Sequence, residues 1–80
     1  MSRSLYIIAA EIRQDWKNVW FGAEPYLQAM ESMDDINDGY LFPGRNAGES
    51  VVIGFLGNAQ TWRGEVARRV KKELKALAGA

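Results

Sequence analysis

Apolar residues recur along this chain at helical rather than strand spacing. At about 100° per residue, Leu5, Ile8, Ala9, Ile12 and Trp16 share one face of a helix predicted from Leu5 to Lys17. Ser4 stands where an N-cap hydroxyl can accept from a free backbone N–H. Tyr6, Ile7 and Ala10 fall off that stripe, and Ile7 lies nearly opposite it. These three are candidates for self-association. Asn18 to Ala23 reads as a connector carrying Trp20 and Phe21, with Gly22 as its turn residue. Pro25 suits the first turn of a second helix, where its missing N–H is no loss. Tyr26, Leu27, Met30 and Met33 gather on one side of that helix, which is expected to end near Met33.

Ser32 to Gly48 is mostly polar, punctuated by Gly39, Pro43, Gly44 and Gly48. It reads as a loop, long for so short a chain, and long loops often carry function. A third helix is expected from Val51 to about Ala59, capped by Ser50. Its apolar residues Val51, Val52, Ile53, Phe55 and Leu56 run all the way round, as in a central, buried element. A buried strand is the competing reading of the same run. Helix is favoured because no second strand of similar quality is present to pair with it. The last helix is expected from Thr61 to about Leu77, with a stripe of Trp62, Val66, Val70, Leu74 and Leu77. Arg63 and Glu73 break that stripe. A buried unpaired charge is costly, so each is expected to reach solvent or a partner, Glu73 by pairing with Arg69 one turn earlier. The fold class is therefore all-α: a compact, single-domain bundle of about four short helices around a central third one.

Composition narrows what such a bundle can do. Eighty residues make one small domain, which buries only about 60 % of the surface its unfolded chain exposes. With no Cys and no His, disulfides, thiolate nucleophiles and the common zinc sites are unavailable. No membrane span and no signal peptide are visible, so a cytoplasmic protein is expected. Catalysis would have to come from carboxylates, Tyr or a Ser–Lys pair. Asp34, Asp35 and Asp38 sit in a loop with no framework to hold a geometry, so an enzyme is not expected.

Net charge is zero but segregated. Glu24 to Glu49 holds six acids against one base, and Arg63 to Lys75 holds six bases against two acids. Such asymmetry either steers a charged partner or draws two parts of one molecule together. Two motif readings fail on particular residues. Counted from Asp34, the acidic loop has Ile36 and Arg45 at the third and twelfth positions of a calcium loop, where ligands are required. Gly44 to Ser50 has Glu49 where a phosphate loop needs Lys. Ser50 to Leu77 has the outline of a helix-turn-helix, but Arg63 occupies an early position that this motif fills with an apolar residue. Its basic residues Arg68, Lys71, Lys72 and Lys75 suit phosphates better than base edges. No cofactor is implied.

Several blocks carry a resemblance across Leu5 to Leu77. They are Asp15-Trp16-Lys17, Phe21-Gly22-Ala23 with Pro25-Tyr26-Leu27, Ile36-Asn37-Asp38, Ser50-Val51-Val52, and Trp62-Arg63-Gly64 with Ala67-Arg68-Arg69. With these the chain resembles a family of small, largely uncharacterised bacteriophage accessory proteins, departing from it in a longer Leu41 to Gly48 stretch. The resemblance implies a viral protein acting in the host cytoplasm by occupying a surface of a host protein, as anti-CRISPR and other anti-defence inhibitors do. The contact would be Asp34, Asp35 and Asp38 or the outer face of the last helix. The alternative is a nucleic-acid-binding regulator using Arg68, Lys71, Lys72 and Lys75. Either would act as a monomer or homodimer.

Overall fold

The computed structural model describes residues 3–34 and 47–79. They form four helices: α1 (Leu5–Asp15), α2 (Glu24–Glu31), α3 (Ala47–Gly57) and α4 (Glu65–Leu77). The helices pack in a ring, α1 on α2, α2 on α3, α3 on α4, with α4 closing back on α1. The all-α bundle expected from the periodicity is thus the observed fold.

One core serves all four elements. It comprises the α1 stripe of Leu5, Ile8, Ala9 and Ile12, Leu27 and Met30 of α2, Val52 and Phe55 of α3, and Ala67, Val70 and Leu74 of α4, with Trp16, Ala23, Ala59 and Trp62 from the connectors. The third helix is not central. In a ring each helix has two neighbours and a free outer side, so α3 leaves Ile53 44 % exposed. Burial of an apolar run all the way round would need a third neighbour.

The ends of the helices differ from the sequence expectation for local reasons. α1 stops at Asp15, which frees Trp16 to turn inward. Ser4 occupies the N-cap position without a side-chain cap hydrogen bond. The free N–H groups of Leu5 and Tyr6 instead donate to the carbonyl oxygens of Asp34 (3.0 Å) and Met33 (2.9 Å), so the chain leaving α2 caps α1. α2 ends at Glu31, before Met33. α3 begins four residues early, at Ala47, so Ser50 lies inside it rather than capping it. α4 begins at Glu65, not Thr61, because Gly64 adopts φ of 115°. L side chains resist that conformation, and the apolar rhythm running through Trp62 masks the break.

Two close approaches fix the packing. The ring of Tyr26 covers Gly54, where a methyl group would meet Cε1 at 2.2 Å, so only glycine lets α2 lie this near α3. At the other side of the core, Trp16 stacks on Trp62 (5.7 Å between centroids, 9° between planes), and both meet Phe55 edge-on. Trp62 Nε1 donates to Asp15 Oδ2 at 2.8 Å, so the buried indole keeps its polar atom satisfied.

Phe55→Ala is expected to cost about 3–5 kcal/mol in chemical denaturation. Gly54→Ala should cost about 1–3 kcal/mol through overpacking against Tyr26, despite the better helix propensity of alanine. A stabilised Gly54→Ala variant would show that the Tyr26 ring is not held there.

Candidate cationic surface

The basic residues divide into those committed to holding helices together and those left facing solvent. On the α2 side of α1, Arg13 clamps two carboxylates two turns apart on α2. Its Nη1 and Nη2 donate to Glu24 at 3.0 and 2.5 Å, and its Nε donates to Glu31 Oε2 at 3.0 Å. On the α4 side, Arg3 binds Glu73 with two nearly parallel bonds, Nε to Oε2 at 3.0 Å and Nη2 to Oε1 at 2.6 Å. Arg3 Nη1 also lies 2.8 Å from Glu11 Oε1, and Arg69 pairs with the other Glu11 oxygen. Glu73 therefore pairs with Arg3 and not, as its spacing suggested, with Arg69. Both residues point off α4 toward α1, where Arg3, just ahead of that helix, and Glu11, within it, meet them.

These guanidinium groups lower the pKa of two acids. The bond from Arg69, then that from Arg3, holds the Glu11 carboxyl below its ordinary value of 4.5. Arg13 does the same to Glu24. The arrangement bears on the charge segregation for two acids of that stretch. Glu24 and Glu31, from the acidic stretch, are taken up by Arg13 of α1 and not by the basic end of the chain.

Arg63, Arg68, Lys71, Lys72 and Lys75 make no ion pair among the described residues. On α4 the spacing of Arg68, Lys71, Lys72 and Lys75 is i, i+3, i+4, i+7, which places them on one outward arc. Arg68, Lys72 and Lys75 are exposed, while Lys71 is half-buried. The Lys71 ammonium donates to the Trp62 carbonyl at 2.6 Å and lies 5.9 Å from the Trp62 ring centroid. Burial lowers its pKa, and repulsion from Arg63 and Lys75 lowers it further. Beside it opens a cleft of about 280 Å³ lined by Trp62, Arg63, Gly64, Ala67, Arg68 and Lys71. No carboxylate among the described residues lines it. Glu65, in the first turn of α4, is exposed and makes no ion pair among the described residues.

The four basic residues expected from the sequence thus share one face, and Arg63, a breach of the stripe expected to reach solvent or a partner, is exposed and lines the same cleft as Arg68 and Lys71. Of the acidic candidates, Asp35 and Asp38 lie outside the described residues, as do Ile36 and Arg45 of the calcium-loop comparison. Asp34 is exposed, and its backbone carbonyl caps α1. Among the described residues no group of three or more acidic side chains is placed to hold a metal. No helix among them is long and apolar enough to cross a membrane. Tyr6, Ile7 and Ala10 are exposed on the outer side of α1. Trp20, which composition alone would send to the core, is 46 % exposed beside Phe21.

The fold and this surface define a small four-helix domain with a one-sided cationic face. No family model, curated protein or solved structure matches the chain.

The carboxylate pairs generate an acid dependence of known sign. A carboxyl whose folded pKa is depressed contributes stability that is complete above its unfolded value and lost as pH falls through the folded one. Melting temperature should therefore hold from neutral pH down to about 4.5 and decline below it. Glu11→Gln should flatten that decline and cost about 0.5–1 kcal/mol at neutral pH, the scale of partly exposed pairs. An unchanged acid profile in Glu11→Gln would remove the Arg3–Glu11–Arg69 link from the account.

Proposed function

We propose that this protein is a non-catalytic binding module that docks the phosphate backbone of a nucleic acid on the outer face of α4. The observation that carries the reading is the sorting of the cations. Arg3, Arg13 and Arg69 are neutralised by carboxylates, whereas Arg63, Arg68, Lys71, Lys72 and Lys75 stand together without one among the described residues. Clustered like charges repel, and repulsion from Arg63 and Lys75 adds to the larger effect of burial in lowering the pKa of Lys71. A polyanion would convert that repulsion into attraction.

The dimensions suit a phosphate backbone. Arg68 to Lys75 spans about 10 Å along the helix axis at about 1.5 Å per residue. One strand of a duplex presents a phosphate about every 3.4 Å of rise, so the stripe covers about three. No Asn or Gln accompanies the bases on this arc, which favours backbone contact over base-edge reading. The host-protein reading drew on the absence of catalytic residue types, the segregated charge and the phage resemblance, and took either the acidic loop or the outer face of α4 as its contact; Asp35 and Asp38 of that loop lie outside the described residues. The α4 face, by contrast, is described in full and carries a single sign of charge apart from Glu65. An acidic protein surface is the competing occupant, and salt dependence together with competition by nucleic acid separates the two.

Fluorescence anisotropy with labelled DNA should show binding that weakens steeply with salt. Three to four neutralised phosphates predict a slope of log K against log salt of about −2 to −4. The double variant Arg68→Gln, Lys72→Gln should reduce the magnitude of that slope by about 1–2. No binding at low salt, or binding indifferent to both salt and these two residues, would contradict the proposal.

A further inference from the structure

We infer that the nucleic acid taken by this surface is single-stranded, with one base stacked on Phe21 beside Trp20. The inference rests on the backbone-docking reading above and adds to it the kind of strand. A second open cleft, of about 480 Å³, is lined by Asp15, Trp16, Lys17, Asn18, Thr61, Trp62 and Arg63. It shares Trp62 and Arg63 with the cleft beside Lys71. The cationic face of α4 therefore continues past Arg63 to Lys17, at the foot of the connector between α1 and α2. Asp15, the one carboxylate among the described residues lining the two clefts, accepts the Trp62 indole N–H.

Three and four residues beyond Lys17 stand the two aromatics. Phe21 is 75 % exposed and Trp20 46 % exposed, with ring centroids 4.3 Å apart and planes tilted by 54°. Trp20 is held in place, and Phe21 packs on it. A methyl group on Gly22 would fall 2.5 Å from Trp20 Nε1 and 2.8 Å from Asn58 Oδ1. The indole thus lies against the Gly22 backbone, alongside Asn58, whose amide nitrogen donates to the Gly54 carbonyl at 2.9 Å. A platform fixed before binding loses little conformational freedom when a ring stacks on it.

The chemistry chooses among polyanions. Phosphate contacts accept duplex and single strand alike, but an aromatic face can stack only on a base whose own face is free. Base–aromatic stacking combined with a cationic track is the means by which single strands are held without sequence preference. An apolar peptide would satisfy the two rings but not the cations Lys17, Arg63 and Arg68 that line the two clefts.

The test compares three ligands with the full chain at one low salt concentration: a short oligodeoxythymidylate, an abasic strand of the same length, and a duplex of that length. Binding is followed by anisotropy and by quenching of tryptophan emission. The oligodeoxythymidylate should bind tightest and quench Trp20. Phe21→Ala should weaken it by about 5- to 150-fold, the size of one base–aromatic stack, while leaving the abasic strand unchanged. Because Phe21 is largely outside the core, thermal melting should show the variant folded. If Phe21→Ala binds oligodeoxythymidylate as the wild type does, or the abasic strand or duplex binds as tightly, the single-strand inference falls while backbone docking stands. If no ligand binds, both fall.

Discussion

The stacked pair of Trp16 and Trp62 over the edge of Phe55 is the contact on which the rest of the molecule depends. Each partner comes from a different element: the end of α1, the connector ahead of α4, and α3. The backbones of α1 and α3 sit diagonally across the ring, and these side chains bridge them. Aromatic pairs contribute about 0.5–1.5 kcal/mol each beyond the area they bury, and all three rings here are nearly or wholly excluded from water. The partly exposed ion pairs around α1 are worth about 0–1 kcal/mol each. The aromatic corner therefore contributes more to holding these elements together than any single one of the ion pairs.

Placement of α4 in turn decides which charges remain free. Trp62 is anchored by its ring, by its indole N–H on Asp15 and by its carbonyl, which receives Lys71. Gly64 then turns the chain so that Ala67, Val70 and Leu74 meet the core. With that face inward, Glu73 and Arg69 are carried toward Arg3 and Glu11, and Arg68, Lys72 and Lys75 are left outward. A cationic surface with no carboxylate across from it among the described residues is a consequence of the packing, not an addition to it. Zero net charge for the chain as a whole conceals it.

Much of this was readable from residue order, for reasons that differ between elements. The α1 stripe and the α4 charge arc are long periodic signals, and both appear where the spacing placed them. The apolar run at Val51 to Leu56 was legible as helix, but its depth was not, because burial depends on how many neighbours a helix acquires. The cap of α1 could not be read from Ser4, since carbonyl groups near the end of α2 provide it. Pairing of Glu73 with Arg3 spans seventy positions, and no local spacing rule reaches that far. For the candidate surface, Arg68, Lys71, Lys72 and Lys75 were legible as one face. Trp20 was not legible as exposed, because the close fit of its indole against Gly22 is a backbone detail.

The central claim is that one buried aromatic corner holds a solvent-facing cationic track. A titration of the nitrogen-15-labelled protein with oligodeoxythymidylate, followed by amide and indole resonances, tests it most directly. The account predicts that signals of Lys17, Arg63, Arg68, Lys71, Lys72 and Lys75 and the Trp20 indole move together, while the Trp62 indole stays in place and slow to exchange with solvent. Shifts confined to the outer side of α1, or a Trp62 indole that exchanges as fast as that of Trp20, would contradict it.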